Sequence, residues 1–146
     1  MDQCDFCDSE VLKKQGVYED EYIIAIYPQK PIIYHHFIIF PKRHSQLVTE
    51  MTAKEIAAMN KVFERIYKNY KKENKCIGYN LSSNNGSPKV GQTVAHCHFH
   101  IYLRFEDEKV SPYKVMGDMS LRDVLSEDEW ELRKKKVSEI INNNEV

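Results

Sequence analysis

Gly91 to Arg104 reads Gly-Gln-Thr-Val-Ala-His-Cys-His-Phe-His-Ile-Tyr-Leu-Arg. Three of the six histidines of the chain lie in this stretch, at His96, His98 and His100. Apolar residues stand between and after them, so polar and apolar side chains alternate with the period of a β-strand. Because alternate side chains of a strand share a face, the three imidazoles are predicted to form a row with a spacing of about 6.5–7 Å. Such a row favours metal ligation, acid–base chemistry or nucleophilic chemistry.

The whole chain has the size and composition of one ordinary domain. Its 146 residues can bury a core without disulfides, and 42% hydrophobic and 29% charged residues are typical of a globular protein. The formal net charge of −1 gives no electrostatic basis for coating nucleic acid or a membrane surface. The sequence shows neither a signal peptide nor a transmembrane stretch. We therefore expect a cytoplasmic protein with reduced cysteines.

Several strands are predicted to join the histidine stretch in a sheet. A hairpin is expected over Val17 to Tyr27, with residues 19–21 at its tip. Further strands are expected over Ile33 to Phe40 and over Cys76 to Ser83. The turn Asn84-Asn85-Gly86-Ser87-Pro88 then leads into the histidines. It is either an ordinary hairpin loop or a loop that presents backbone N–H groups to an anion.

Two helices are predicted from capping boxes. Thr52 and Glu55 begin the first, which extends to Glu73, and residues 126–129 begin the second, which extends to about Asn142. The first helix has an apolar face that is expected to pack in the core. That face comprises Ile56, Met59, Phe63, Ile66, Tyr67 and Tyr70.

A second pattern stands at the N-terminus, where Cys4 and Cys7 are spaced as Cys-x-x-Cys. The spacing is typical of half a zinc site or of a redox pair, and it also arises by chance. With two histidines added, a structural zinc site would be complete and other histidines would remain free. A free neutral imidazole is a nucleophile toward phosphorus, and another can serve as general acid. The residues alone leave open which histidine does what, and a catalytic zinc held by three histidines also remains open.

The motifs taken together resemble the histidine-triad (HIT) family. Gly91 to Tyr102 resembles the family signature, and Val17 to Glu21 resembles its N-terminal hairpin. Phe37 to His44 resembles the strand that ends in Pro-Lys-x-His, and residues 84–86 stand where the family keeps an Asn-Asn-Gly turn. Cys4-x-x-Cys7 resembles the zinc-containing bacterial-type, Hint-like members. All these motifs occur in one collinear order.

The resemblance implies the fold. It is an α+β, HIT-like fold, with a mostly antiparallel sheet of about five strands, one long helix packed on it and, here, a C-terminal helical extension. Residues 1–146 would form a single HIT domain, with a core over about 4–105 and an extension over about 106–146. Two protomers usually join into a homodimer with a continuous sheet.

The resemblance also implies an activity. Family members are nucleotide hydrolases and transferases that act on a nucleoside monophosphate joined to a leaving group. By position, His98 is the nucleophile that forms a covalent nucleotidyl-histidine, and His100 assists at the phosphate and leaving group. Gln92 and Thr93 would contact phosphate oxygens or the leaving-group side, and Asn85 a phosphate oxygen. His98 must then be neutral, and a backbone carbonyl on its inner N–H would fix the required tautomer.

In the zinc-containing members the metal ligands correspond to Cys4, Cys7, His44 and His96. The resemblance thus implies a structural zinc held by these four residues. His98 and His100 are left for chemistry.

The chain departs from the family pattern at three places. Pro28 stands where the family usually has an acidic residue that grips the ribose hydroxyls. Residues 34–36 replace the usual Pro-Gly-His. Packing is the preferred interpretation of His35 and His36, and a place in the nucleoside pocket is the alternative for His35. Leu103 replaces a common proline, which is structurally mild. The first two changes bear on nucleoside affinity rather than on phosphate chemistry.

Three functions are consistent with these residues. The leading one is a zinc-containing nucleotide hydrolase for purine nucleotide-type small molecules: phosphoramidates, aminoacyl-adenylates or dinucleoside polyphosphates. The second is a non-catalytic, zinc-stabilised, nucleotide-binding regulatory dimer. The third is a metal hydrolase with zinc on the triad. None of them involves nucleic acid or a membrane.

Overall fold

The computed structural model describes residues 4–144, apart from the side chains at positions 73 and 74. Within that range five strands form one sheet in the order β1-β2-β3-β5-β4, and all pairs are antiparallel. The strands are β1 (Gly16–Glu19), β2 (Ile23–Ile26), β3 (His36–Pro41), β4 (Cys76–Ser82) and β5 (Phe99–Phe105). The predicted α+β fold with a five-stranded antiparallel sheet is confirmed.

The described residues contain four α-helices. These are α1 (Ser9–Gln15), α2 (Ala53–Asn74), α3 (Pro112–Gly117) and α4 (Glu127–Ile141). The predicted capping boxes at Thr52 and Ser126 both form, and they begin α2 and α4. Helix α1 was not predicted from the sequence. It is a short helix whose N-terminus is capped by the Asp8 carboxylate, which accepts a hydrogen bond from the Glu10 N–H at 2.9 Å. No described helix has the length and apolar character needed to cross a bilayer.

The main core lies between one face of the sheet and the helices α2 and α4. From the sheet, Ile101 and Leu103 are fully buried there, and from the helices Ile66, Tyr70 and Trp130 are buried with them. One predicted core residue is wrong, because Ile56 is 54% exposed. With 3.6 residues per turn it lies roughly a quarter turn from the middle of the buried stripe of α2. The opposite face of the sheet carries a smaller apolar cluster formed by Phe6, Ile24, Ile26 and Phe40.

The histidine stretch is not one continuous strand. Regular pairing of β5 with β3 begins at Phe99, so His96 and His98 lie in the segment that leads into β5. The Cys97 N–H donates a hydrogen bond to the Ser45 carbonyl at 2.6 Å, and this bond holds the segment against the loop that follows β3. Cys97 is nevertheless buried, as the alternation predicted. The segment before β5 is therefore hydrogen-bonded to the loop after β3, whereas the sequence predicted that it would be part of a continuous strand.

Candidate functional site

Four potential metal ligands meet beside the start of the histidine stretch. The ligand atoms of Cys4, Cys7, His44 and His96 all lie within 4.8 Å of one another. The Sγ of Cys4 is 3.5 Å from His96 Nδ1, and the Sγ of Cys7 is 3.4 Å from His44 Nδ1 and 3.6 Å from His96 Nδ1. A tetrahedral zinc with ordinary bond lengths places its sulfur and nitrogen ligands about 3.6 Å apart. The donor set and its spacing therefore fit zinc.

The ring of His96 is held so that Nδ1 faces the cluster. Its Nε2 lies 2.7 Å from the Pro41 carbonyl, which can only accept, so Nε2 carries the hydrogen and Nδ1 is bare. A metal-ligating histidine usually donates its other ring N–H in this way. His96 is fully buried, whereas Cys7 and His44 are exposed. A metal ion would thus have a rigid ligand on the inner side and an open approach from solvent.

The triad histidines do not converge on a metal of their own. Among residues 4–144, the cluster above is the one group of three or more such side chains with metal-binding geometry. His98 and His100 instead use their Nδ1 atoms for hydrogen bonds within the protein. The arrangement does not favour a catalytic zinc on the three histidines.

His98 is a buried neutral imidazole with a fixed tautomer. Its Nδ1 lies 2.7 Å from the His96 carbonyl and must donate to it, which leaves Nε2 bare. This backbone contact is the one that the nucleophile hypothesis requires. Burial lowers the pKa of His98 below its usual value, so the ring remains neutral at neutral pH. Phe6 packs edge-on against it, with the ring centres 5.0 Å apart.

His100 has the opposite tautomer, and His36 sets it. The Ile32 N–H donates to His36 Nδ1 at 3.1 Å, so the hydrogen of His36 must be on Nε2. That Nε2 lies 2.9 Å from His100 Nδ1 and donates to it, which puts the hydrogen of His100 on Nε2. The pKa of His100 is lowered to about 4, mainly by burial and in part by its proximity to His98. Burial likewise holds the pKa of His36 well below its usual value.

His98 and His100 therefore present complementary ring atoms. His98 has a bare Nε2, which can attack, and His100 has an Nε2–H, which can donate a hydrogen bond. Their ring centres are 5.2 Å apart. This is closer than the spacing predicted for an ideal strand, because His98 precedes the regular part of β5.

The predicted phosphate-binding residues lie on the loop between β4 and β5. The amide of Gln92 is buried and bridges two backbone groups, accepting from the Gly86 N–H and donating to the Gln46 carbonyl, each at 2.8 Å. Asn85 accepts from the Val48 N–H at 2.7 Å. Both side chains thus hold the loop in shape. Thr93 is exposed on the same loop.

The same loop is hydrogen-bonded directly to His98. The Ser83 hydroxyl donates to the His98 carbonyl at 2.8 Å, and Asn85 donates to Ser83. At its far end Gly91 has a φ of 104°, and a side chain there would clash with Asn84. Only glycine combines that backbone angle with so close an approach.

His36 is the functional candidate that the sequence did not identify. Packing was the preferred interpretation, yet the register pairs His36 with Tyr102 and brings its ring to His100. His36 shares a strand face with Ile38, and Ile38 is paired with His100, so the register of β3 with β5 creates the contact. Strand register cannot be read from one sequence, so this contact was not foreseeable.

His35 and Pro28 belong to the other side of the structure. His35 Nδ1 lies 2.9 Å from the Tyr70 hydroxyl on α2, and its ring packs on Phe105, so it faces the helices and not the triad. This agrees with the packing interpretation. The Pro28 carbonyl accepts a hydrogen bond from the indole N–H of Trp130 at 2.8 Å. This hydrogen bond fixes the loop between β2 and β3 to helix α4.

Comparisons with known proteins agree with this geometry. The HIT domain model matches residues 9–107. A HIT-like protein of Methanocaldococcus jannaschii is 34% identical over 128 residues, which are 85% of this chain and 97% of that protein. This chain therefore belongs to the HIT family.

Two solved structures extend the likeness to three dimensions. A hypothetical histidine triad nucleotide-binding protein of Sulfolobus tokodaii has a TM-score of 0.71 at 27% identity, covering 94% of this chain and 91% of its own. A zinc-bound histidine triad family protein of Mycobacterium smegmatis has a TM-score of 0.67 at 25% identity, covering 94% and 95%. Each alignment covers 94% of this chain and so extends beyond residues 9–107 into the C-terminal extension.

Proposed function

We propose that this protein is a nucleotide hydrolase or transferase that cleaves the bond between the α-phosphate of a nucleoside monophosphate and its leaving group. One observation carries the proposal: a bare Nε2 on His98 stands beside an Nε2–H on His100, and each tautomer is set by its own hydrogen bond. Nucleophilic attack on phosphorus needs the first atom, and stabilisation of the phosphate charge needs the second.

The proposed reaction has two steps. His98 Nε2 attacks the α-phosphorus, the bond to the leaving group breaks, and the leaving group takes its proton from solvent. Water then attacks the phosphorus and gives up a proton to solvent, the bond to His98 breaks, and the monophosphate is released. His100 donates a hydrogen bond to the phosphate in both steps and remains neutral, in keeping with its lowered pKa of about 4. Positioning and charge stabilisation supply most of the catalysis in such transfers.

We further propose that zinc binds to Cys4, Cys7, His44 and His96 and has a structural role. When bound, the ion would cross-link the N-terminal segment, the loop after β3 and the segment before β5. The backbone carbonyl of His96 is the acceptor that fixes the tautomer of His98. Holding the His96 ring thus helps to hold the nucleophile. Thiolate ligands need a reducing compartment, which fits a cytoplasmic location.

The assay for this function uses zinc-loaded protein and a panel of AMP conjugates: a phosphoramidate, an aminoacyl-adenylate and a dinucleoside polyphosphate. We expect steady release of AMP from at least one conjugate. The absence of turnover with all of them, together with measurable AMP binding, would favour the non-catalytic regulatory dimer instead. The observation that favours this second function is Pro28, which offers no side-chain acceptor to the ribose and whose carbonyl is bound to Trp130.

The acid limit of activity is predicted to lie well below the usual pKa of histidine, near 6.5. His100 must be neutral to keep its partner His36, and its pKa is lowered to about 4 because it is buried. Protonation therefore begins only as the pH falls toward that value. The nucleophile His98 must be neutral as well, and its pKa is also lowered by burial. We therefore expect the acid limb of kcat/KM to have its midpoint below 6.5. A pH profile of AMP release measures this, and an acid limb centred near 6.5 would contradict it.

We propose that two copies form a homodimer through β4. This strand is an edge of the sheet, and Ile77 and Leu81 on it are 52% and 40% exposed. Ile56 on α2 is exposed as well. Unpaired edges and exposed apolar residues favour association.

The double variant Ile77→Lys with Leu81→Lys is predicted to be monomeric, because two charges would be buried in the interface. Light scattering after size-exclusion chromatography should give the mass of two chains for the wild type and of one for the variant. Val124→Lys is the matched control, because Val124 lies in the C-terminal extension and is 90% exposed. This variant should remain dimeric. A wild type that is monomeric at micromolar concentration would refute the dimer.

A further inference from the structure

A cavity of about 340 Å³ lies on the face of the sheet away from the triad. The segment before β3, the end of β5 and the C-terminal tail form its walls. Its lining includes Ile32, His35, Leu103, Phe105, Val115 and Leu121. Leu103 and Phe105 alternate along β5 with Tyr102, which lies on the triad face, and Phe105 packs on Tyr70 of α2. The cavity is therefore separate from the proposed reaction site.

The walls suit a small aromatic body. The volume is within the range of small-molecule sites, whose walls are mostly apolar with a few polar groups. The rings of Tyr34 and Phe105 both line the cavity and both pack on His35, with ring centres 4.4 and 5.1 Å away. Aromatic side chains prefer to stack or meet edge-on with another ring. A planar ligand would find such partners here.

The charges around the cavity favour an anion. Of the two carboxylates in the lining, Glu108 is bonded to Arg104 and Asp123 to Arg133 at 2.9 Å. Lys109, the lysine of the lining, forms no ion pair with any residue in the described range. One positive charge at the cavity is thus uncompensated.

The lowered pKa of His35 is consistent with positive charge near the cavity. Its pKa is lowered to about 4, first because the ring is buried and then because Lys136 and Arg133 add positive charge nearby. The neutral ring is bonded through Nδ1 to Tyr70. The neutral ring can therefore line a site for an aromatic ligand without adding a charge to it.

We propose that this cavity is a second binding site, and that its ligand is a small aromatic carboxylate. The aromatic body would lie against Phe105. It would meet Tyr34 edge-on, because Arg133 and His35 already pack on the Tyr34 ring at 4.3 and 4.4 Å. The carboxylate would face Lys109. The proposal does not depend on the nucleotide chemistry of the triad.

Titration calorimetry of the zinc-loaded full chain tests the proposal with three probes that share a ring and differ in charge: phenylacetate, phenylethanol and phenylethylamine. We expect one phenylacetate per chain, bound about three- to fivefold more tightly than the alcohol, since one exposed charge pair contributes up to about 1 kcal/mol. The amine should bind most weakly. Saturating AMP should leave phenylacetate binding unchanged.

Three variants sharpen the test. Lys109→Gln should remove the preference for the acid over the alcohol, whereas Lys114→Gln, an exposed lysine of α3 outside the lining, should preserve it. Val110→Trp, at the half-buried rim, should fill the cavity and abolish binding of all probes. If Val110→Trp does not fold, Leu121→Trp replaces it, because Leu121 is 40% exposed. The proposal is overturned if no probe binds at millimolar concentration, if acid and alcohol bind equally, or if AMP displaces phenylacetate.

Discussion

His98→Gly is expected to lower kcat for release of AMP from an adenosine phosphoramidate by on the order of 10⁴-fold, because removal of a covalent nucleophile has effects of at least this size. KM should change far less, since the proposed contacts of the substrate with the loop between β4 and β5 remain. With the wild type, rapid quenching should trap an adenylyl group on His98, and the variant should trap none. Stopped-assay kinetics and mass spectrometry of the quenched protein measure the two effects.

Chemical rescue separates loss of the nucleophile from general damage. His98 is 4% exposed, so its removal leaves a buried space the size of its own ring. Free imidazole should enter that space and restore part of the turnover, whereas the wild type should show no such gain. The variant must also retain the zinc content and melting temperature of the wild type. Full turnover of His98→Gly without imidazole would assign the nucleophile elsewhere.

Cys4→Ser is expected to lose bound zinc and to lower the melting temperature by about 10 °C. The reason is that a ligand which binds only the folded state stabilises it according to its affinity, and a loss of ~3–5 kcal/mol corresponds to a shift of this size for a chain of this length. A strong chelator should produce the same shift in the wild type. Elemental analysis and differential scanning calorimetry are the measurements.

Cys76→Ser is the matched control for the zinc experiment. Cys76 is a buried cysteine of β4, outside the cluster, and its thiol donates to the Gly78 carbonyl, which a serine hydroxyl can also reach. It should keep one zinc per chain. Full zinc content in Cys4→Ser would remove Cys4 from the ligand set. Zinc loss without any change in melting temperature would refute a structural role.

Much of the fold was predictable because its signals are local. The capping boxes at Thr52 and Ser126 and the alternation over the strands are each contained within a few neighbouring residues. The exposure of Ile56 was not predictable from the sequence. A residue at the edge of the apolar face of a helix is buried only if the sheet extends beneath that side of the helix. Helix α1 was not predicted because about two turns with one Asp8 cap give too weak a pattern.

For the site, the sequence determined which residue types are available, and the family motifs supplied their proposed roles. Three histidines at alternate positions and a Cys-x-x-Cys pair are visible without any structure. The tertiary structure alone brought His44 and His96 to the two cysteines, although these segments are far apart in the chain. It alone placed His36 against His100, because strand register is a property of the folded sheet.

The three imidazoles of the Gly91 to Arg104 stretch are equivalent in the sequence and distinct in the fold. A hydrogen bond fixes the tautomer of each ring. The partner is the Pro41 carbonyl for His96, the His96 carbonyl for His98, and the His36 ring for His100. A sequence specifies that imidazoles are present and on which face of a strand they lie. Only the tertiary hydrogen bonds decide which nitrogen of each ring carries the proton, and on that the proposed chemistry depends.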